Sequence, residues 1–300
     1  MIITRRISLR KLIGFTRRNL TILVIFTVVS LLAVPFINDQ TLRALSYASG
    51  FLGTALAFLI GFRNNAAYGR WWEAQQLWSQ LKYESRNLAL LMCTFLPDTD
   101  DNRNRRQRIL HRQIAFAWRL NRHLRQQPPD DVNAGLLDEA ERKEVEALQN
   151  PPLALLNNQG KDIRALFEEG VVDSYKQVQL ANTLTSFNTV LSGCERLKKT
   201  PFPMQYTWFM AYSLMVFLFI LPLSLAGHLG YWSAPFSLLI GYVFVMLEYV
   251  GRYIEHPFEN SVNDVPMDYI SRTIEIDLRQ ILGESNIPTP IEPQGLGYLY

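Results

Sequence analysis

The sequence predicts an all-α polytopic membrane protein, and three observations carry that expectation. Long runs are free of charged residues, the chain between them has helical periodicity with few glycines, and the charges that exist are placed very unevenly. Across 300 residues, 48% are hydrophobic and 19% charged, which is too apolar for an average soluble chain and excludes a disordered one. The net charge of +3 gives no general signal for a polyanionic partner, and no nucleic-acid partner is expected. Cys93 and Cys194 are too few and too far apart for a zinc site or a disulfide framework, so both read as reduced structural thiols.

The first span is read at 20–37, inside a run of twenty residues, 19–38, that holds no Asp, Glu, Lys or Arg. At about 1.5 Å per residue, ~20 helical residues match a hydrocarbon core of ~30 Å. A cleaved signal peptide fits less well, because Pro35, Phe36 and Ile37 make a poor small-residue cleavage site. A short loop carrying Asp39 and Arg43 leads to the second span, 45–62, so the two read as a hairpin. The uncharged run 200–247 is forty-eight residues long, enough for two spans, at 207–226 and 235–253, with the turn at 228–235. Tyr231 and Trp232 in that turn suit a membrane–water interface.

Lys and Arg set the orientation. Six lie in residues 1–18 (Arg5, Arg6, Arg10, Lys11, Arg17 and Arg18), twenty in 63–199 and three from Arg252 onward, leaving only Arg43. The positive-inside rule then puts both termini and the 63–199 region in the cytoplasm of a multi-pass inner-membrane protein.

The cytoplasmic region reads as helical, with breaks at 127–129 and 150–152 and a turn at 97–102. Its segment RNRRQRILHRQIAFAWRLNRHLR (103–125) is a basic amphipathic helix, whose charged face suits an anionic inner leaflet or an acidic partner helix better than nucleic acid. The remainder, 254–300, ends in a tail with three prolines, expected to be an extended strap. The whole of 1–300 is taken as a single functional domain.

No nucleotide-binding loop, metalloprotease motif, nucleophile elbow or spaced Cys/His set occurs, and His111, His123, His228 and His256 fall on different elements. No catalytic residue, cofactor or metal site is expected. Glu248 stands out because it interrupts the fourth span: it is either a functional carboxylate or the i+4 partner of Arg252.

Along the second span, two stripes recur at four-residue spacing. Gly53, Ala57 and Gly61 form a small-residue seam against which another helix could pack closely. Thr54, Phe58 and Phe62 form a neighbouring stripe. It is either ordinary lipid-facing or core material, or, if several copies surround one axis, a set of apolar rings that gate by excluding water.

The segments LGTALAFLIGFRNNAAYGRWWEAQQLW (52–78), RRISLRKLIGF (5–15) and IEHPFENSVNDVPMDYISRTIEIDL (254–278) resemble the bestrophin family in its bacterial branch. The most specific matches are Phe62-Arg63-Asn64 leading to Arg70-Trp71-Trp72-Glu73, and Pro257 and Phe258 followed by Asn263, Asp264, Pro266 and Asp268. The resemblance implies a homopentameric ion channel with four membrane helices per subunit and a helical cytoplasmic vestibule. It implies a hydrophobic neck at Thr54, Phe58 and Phe62, where Thr54 departs from the usual aliphatic residue. A cytoplasmic aperture is implied on the helix before Cys194, placed by spacing at Val178 with Leu180 as the second choice.

Animal members of the family bind calcium through an acidic cluster after the Pro-Phe pair. Here only Glu259 and Asp264 are acidic there, too few for ~6–8 oxygen ligands, so calcium activation is not expected. The expected cargo is small monovalent ions, chloride slightly ahead of sodium, in a setting of membrane lipids. Arg63 either favours anions or serves as an inter-helix salt bridge or interfacial anchor. A cation-selective channel of the same fold stays open, as does a membrane scaffold or membrane-bound enzyme without conduction.

Overall fold

A computed structural model describes residues 9–128, 135–261 and 263–293, with side chains from residue 20 onward. The basic residues of the N-terminal lead, Pro129 of the first predicted break and the tail 294–300 lie outside the described residues or side chains. Among the described residues the chain is helical, with no strand. Nine α-helices follow one another among these residues: α1 (Leu9–Ala33), α2 (Asp39–Phe95), α3 (Asp100–Arg125), α4 (Glu139–Glu146), α5 (Pro151–Glu168), α6 (Ser174–Lys199), α7 (Met204–Leu229), α8 (Ser233–Ile254) and α9 (Met267–Leu282). Contacts divide them into two compact units, one from the described part of 1–70 with 201–255, the other from 71–200 with 256–293.

The first unit holds the apolar helices. Asp39–Phe95 and Met204–Ile254 each contain a stretch long and apolar enough to cross a membrane, and Leu20–Phe36 is a shorter apolar helix. Met204–Ile254 is two helices, because a 3-10 turn at Gly230–Trp232 separates α7 from α8 and Gly230 there takes a positive φ of 54°. Tyr231 and Trp232 are exposed in this turn. α7 packs on α8, and α1 on both. The core they share includes Leu23, Leu56, Phe217, Leu218 and Val245. Close approach of α8 depends on Gly241, where an added Cβ would lie 2.6 Å from Leu23 Cδ1.

Polar seams run through this apolar unit. Pro222 lies inside α7 and cannot donate to the preceding turn, which loosens the ladder there. Nearby carbonyls take partners from other helices: Ser30 Oγ donates to the Phe219 carbonyl at 2.8 Å and Ser46 Oγ to the Ser224 carbonyl at 2.6 Å. Such bonds tie α1 and α2 to α7 where lipid offers no alternative partner.

The second unit is a helical body around one core that includes Trp78, Leu88, Phe116, Phe187, Phe258 and Ile274. α3 lies against α5, α6 and α9. Its ends are well formed: Thr99 accepts from the Asn102 amide, Asp100 and Asp101 occupy the first turn, and Arg122, His123 and Arg125 the last. The predicted break at 150–152 is the start of α5, where Asn150 caps the helix and two prolines follow.

The basic face of α3 finds its acidic partners within the same unit. Arg112 is forked onto Glu141 of α4, with Nε to Oε1 at 2.6 Å and Nη2 to Oε2 at 3.0 Å, and also pairs with Asp162 of α5. Arg108 reaches Asp162, Arg119 reaches Glu146, and Arg125 reaches Asp268 of α9. This is the acidic-partner alternative of the sequence reading. Cys194 is fully buried in the core, and burial pushes its thiol up, which makes it inert. Both thiols are free, as expected, but Cys93 is exposed, which corrects its reading as a structural thiol.

Candidate functional site

The stripe on α2 acquires a definite direction from the residues that pack around it. Leu56, Ile60, Arg63 and Ala67 are buried, and at about 100° per residue they share one face of α2. Thr54, Phe58 and Phe62 fall on an arc of about 80° whose centre lies roughly 190° round the helix from that face. All three are exposed, Phe58 at 65% and Phe62 at 68%. Two benzyl groups and a threonine methyl therefore face away from the buried side of α2.

The small-residue seam lies at the side, about 90° from the packed face. Gly53 touches its own chain, since an added Cβ would meet Phe217 Cε2 at 3.0 Å. Ala57 and Gly61 are exposed, and a Cβ on Gly61 would meet nothing within 4 Å. Two of the three seam residues are therefore uncovered by their own chain.

Next to the stripe, Arg63 points the other way, into the first unit. Its Nη2 lies 2.9 Å from Glu255 Oε2 and its Nη1 3.3 Å from Glu248 Oε1, with all three side chains at most 5% exposed. Glu248 also binds Arg252 at 2.7 Å, on the next turn of α8. Glu255 is further held by the Phe202 amide, which donates to Oε1 at 3.3 Å, and its carbonyl accepts from Arg70 Nε at 3.2 Å. Sequence spacing revealed only the Glu248–Arg252 pair. Glu255 was missed, and its signal was weak: a second carboxylate seven residues on, two helical turns along the same face.

One residue further along α2, Asn64 donates to the Leu247 carbonyl at 2.9 Å. The Arg-Trp-Trp-Glu motif that follows is a set of anchors. Arg70 stacks over the Phe202 ring at 5.9 Å, Trp71 donates to the Asn263 carbonyl at 2.8 Å, and Glu73 pairs with Arg196.

The two aperture candidates separate cleanly. Val178 on α6 is 58% exposed, whereas Leu180 is fully buried in the second core. Of the two, only Val178 can line an opening. The segment after Phe258 is a closed turn: Asp264, buried, accepts from the Ser261 amide at 3.0 Å and from its hydroxyl, while Glu259 pairs with Lys198 at 2.6 Å.

The sequence model described as Bacterial/Fungal Bestrophin protein matches residues 11–280. The chain is 33% identical over 288 residues to the voltage-dependent anion channel-forming protein YneE of Escherichia coli (strain K12), covering 96% of this chain and 90% of that one. It is 33% identical over 238 residues to the voltage-dependent anion channel-forming protein mll4386 of Mesorhizobium japonicum, covering 79% and 75%. The fold matches the crystal structure of a bacterial bestrophin homologue from Klebsiella pneumoniae, solved by Zn-SAD phasing, with a TM-score of 0.83, 29% identity and coverage of 88% and 97%. A family match over nearly the whole length, joined to four apolar helices and an outward aromatic stripe on α2, places this chain in the bacterial and fungal bestrophin family of membrane proteins.

Proposed function

We propose that this chain is the subunit of an ion channel in which five copies surround a central axis and α2 turns Thr54, Phe58 and Phe62 toward it. The reading rests on one observation: that stripe lies opposite the packed face of its helix, with both phenylalanines about two-thirds exposed. Four helices from one chain are too few to enclose a conduit, so the outward stripe calls for further copies, and the open side of the seam at Ala57 and Gly61 is where the neighbouring copy packs. Both termini and the 63–199 region face the cytoplasm, and the apolar faces of α1, α7 and α8 meet the lipid of the bacterial inner membrane.

An apolar ring blocks ions when it dries and passes them when it wets, so small rotations of α2 gate the neck. Val178 forms a second narrowing at the cytoplasmic side. The function is conduction and not catalysis. Relatives that are named as anion channel-forming proteins support small monovalent anions, chloride first, ahead of sodium. Arg63 is buried against Glu248 and Glu255, which supports the inter-helix salt-bridge role over that of an anion-attracting charge in the path.

The test is a reversal-potential measurement on purified protein in planar bilayers under a sodium chloride gradient. Reversal near the chloride potential is expected. Reversal near the cation potential replaces the anion reading with the sodium one, and a complete lack of current overturns the channel.

A further inference from the structure

The last turns of α3 and α6 carry six basic side chains: Arg122, His123 and Arg125 on the first, Arg196, Lys198 and Lys199 on the second. Arg125 and Arg196 are committed to Asp268 and Glu73. The other four, with Gln126 and Glu195, line a cavity of about 310 Å³ where the two helices end, at the small end of the roughly 300–1,000 Å³ range of ligand pockets. Along this lining three cations stand against one carboxylate.

These charges are not needed to cap the helices. The Gln126 and Gln127 amides donate to the His123 and Arg122 carbonyls at 3.2 and 2.9 Å, and the Thr200 amide donates to the Arg196 carbonyl at 3.0 Å. Gln126 makes its turn in the left-handed region, at φ 55°, where glycine is the usual residue. A glutamine there accepts some strain and sets a side-chain amide on the cavity wall. Glu195 is already occupied: its Oε1 accepts from Asn150 Nδ2 at 2.7 Å and lies 3.2 Å from His123 Nε2. Lys198 is held by Glu259 at 2.6 Å. Lys199 is held least, 71% exposed and 3.7 Å from Glu195 Oε2, so it can turn to a ligand at little cost.

The chain ties this cavity to the membrane surface. Only residues 200–203 separate Lys199 from α7, five Cα steps that span at most about 18 Å. α7 opens with Tyr206 and Trp208, aromatic residues of the kind that mark a membrane–water interface. On α6, Glu195 and Lys198 lie about 100° and 160° round the helix from Val178, away from the side that carries the aperture candidate.

We propose that this cavity is a phosphate oxyanion site, with Lys199, Arg122 and the Gln126 amide as its donors. Its occupant is the headgroup phosphate of an anionic phospholipid or a soluble phosphate, and basic pockets at the cytoplasmic surface suit the first. This rests on the membrane placement proposed above and is independent of which ion the channel conducts.

The test is native mass spectrometry of the full-length protein in detergent, titrated separately with phosphatidylglycerol, phosphatidylcholine and inorganic phosphate. Retention of phosphatidylglycerol over phosphatidylcholine is expected, and Lys199→Gln should weaken it about tenfold or more, as for a lost charge-assisted hydrogen bond. Lys143→Gln, which removes an equally exposed charge on α4, should leave it unchanged. Gln126→Gly suits the left-handed backbone and keeps the fold, so its smaller expected loss tests the site even where Lys199→Gln misfolds. Inorganic phosphate that binds with the same Lys199 dependence, while phosphatidylglycerol does not, supports the site and makes soluble phosphate its source. Equal retention of the two lipids without phosphate binding overturns the site, as do equal losses in Lys199→Gln and Lys143→Gln. Vesicle flotation separates the two readings. Protein that does not float with reconstituted vesicles overturns the membrane placement, and the site with it; protein that floats but prefers neither phosphatidylglycerol nor phosphate overturns the site alone.

Discussion

Asn64 on α2 occupies the space that a side chain on Gly251 of α8 would need: a Cβ built on Gly251 would lie 1.9 Å from Asn64 Oδ1. The asparagine cannot swing away freely, because its Nδ2 donates to the Leu247 carbonyl one turn back along α8. Gly251→Ala should therefore destabilise the protein by about 1–3 kcal/mol, the usual cost of overpacking. Thermal unfolding in detergent measures it. Asn64→Ala removes the obstructing amide, so the double variant should recover much of the loss. Simple additivity of the two effects would show that the residues do not couple.

The neck makes a different kind of prediction. Phe58 and Phe62 pack against little of their own chain, so Phe58→Ala/Phe62→Ala should leave subunit folding nearly unchanged. Its effect belongs in the current. Removing two aromatic rings widens and hydrates the constriction, and single-channel recording should show a higher conductance or open probability. Unchanged currents would mean that these side chains face lipid.

The cluster at Arg63 predicts a loss of stability. Its guanidinium is buried between Glu248 and Glu255, so Arg63→Gln takes the positive charge from between two buried carboxylates. Breaking a buried ion pair by removing one partner typically costs about 3–5 kcal/mol. Arg63→Gln should lower the melting temperature well beyond Arg252→Gln, whose side chain is 48% exposed. Equal shifts for the two variants would sink this account.

Much of this architecture was legible in the sequence because a charge-free run is a local property. The predicted spans at 20–37, 45–62, 207–226 and 235–253 fall on α1 with the 3-10 turn after it, α2, α7 and α8. The end of the second span was not legible as structure: α2 continues as helix from Phe62 to Phe95, since FRNNAAYGRWWEAQ has no proline, only the isolated Gly69, and a change of polarity. The Glu248–Arg252 pair was readable at i+4, whereas the Arg63–Glu248 bond spans 185 residues, a separation at which spacing carries no information. The aperture shows the same limit. Val178 and Leu180 are two residues apart on one helix, and only the packing of α6 on its core decides which is exposed.

The Pro-Phe segment predicts insensitivity to calcium. Of its two carboxylates, Asp264 closes the Ser261 turn and Glu259 pairs with Lys198, so neither stands ready for an oxygen-ligand cage. Currents recorded with micromolar calcium and with chelator should be equal. An increase with calcium would require these side chains to give up their partners.

The end of α9 gives a pH-dependent prediction. After Gly283, Glu284 turns back to α3, with Oε1 lying 2.5 Å from His111 Nε2 and Oε2 accepting from Arg279 at 2.7 Å. Burial pushes the Glu284 carboxyl up, but the hydrogen bond and charge of His111, together with Arg279, outweigh it and hold the group below its ordinary value. The folded form therefore binds fewer protons at this carboxyl than the unfolded form does. Its contribution is complete above the ordinary value of 4.5 and is lost as pH falls through the depressed folded value. Hydrogen exchange in residues 280–293 should stay slow near neutral pH and accelerate in that acid window, after correction for the intrinsic pH dependence of exchange. Glu284→Gln should show the faster exchange already at neutral pH and lose the acid transition. A wild-type segment that loosened on raising the pH from 5 to 7 would have the wrong sign for this carboxylate and would assign the contact to another group.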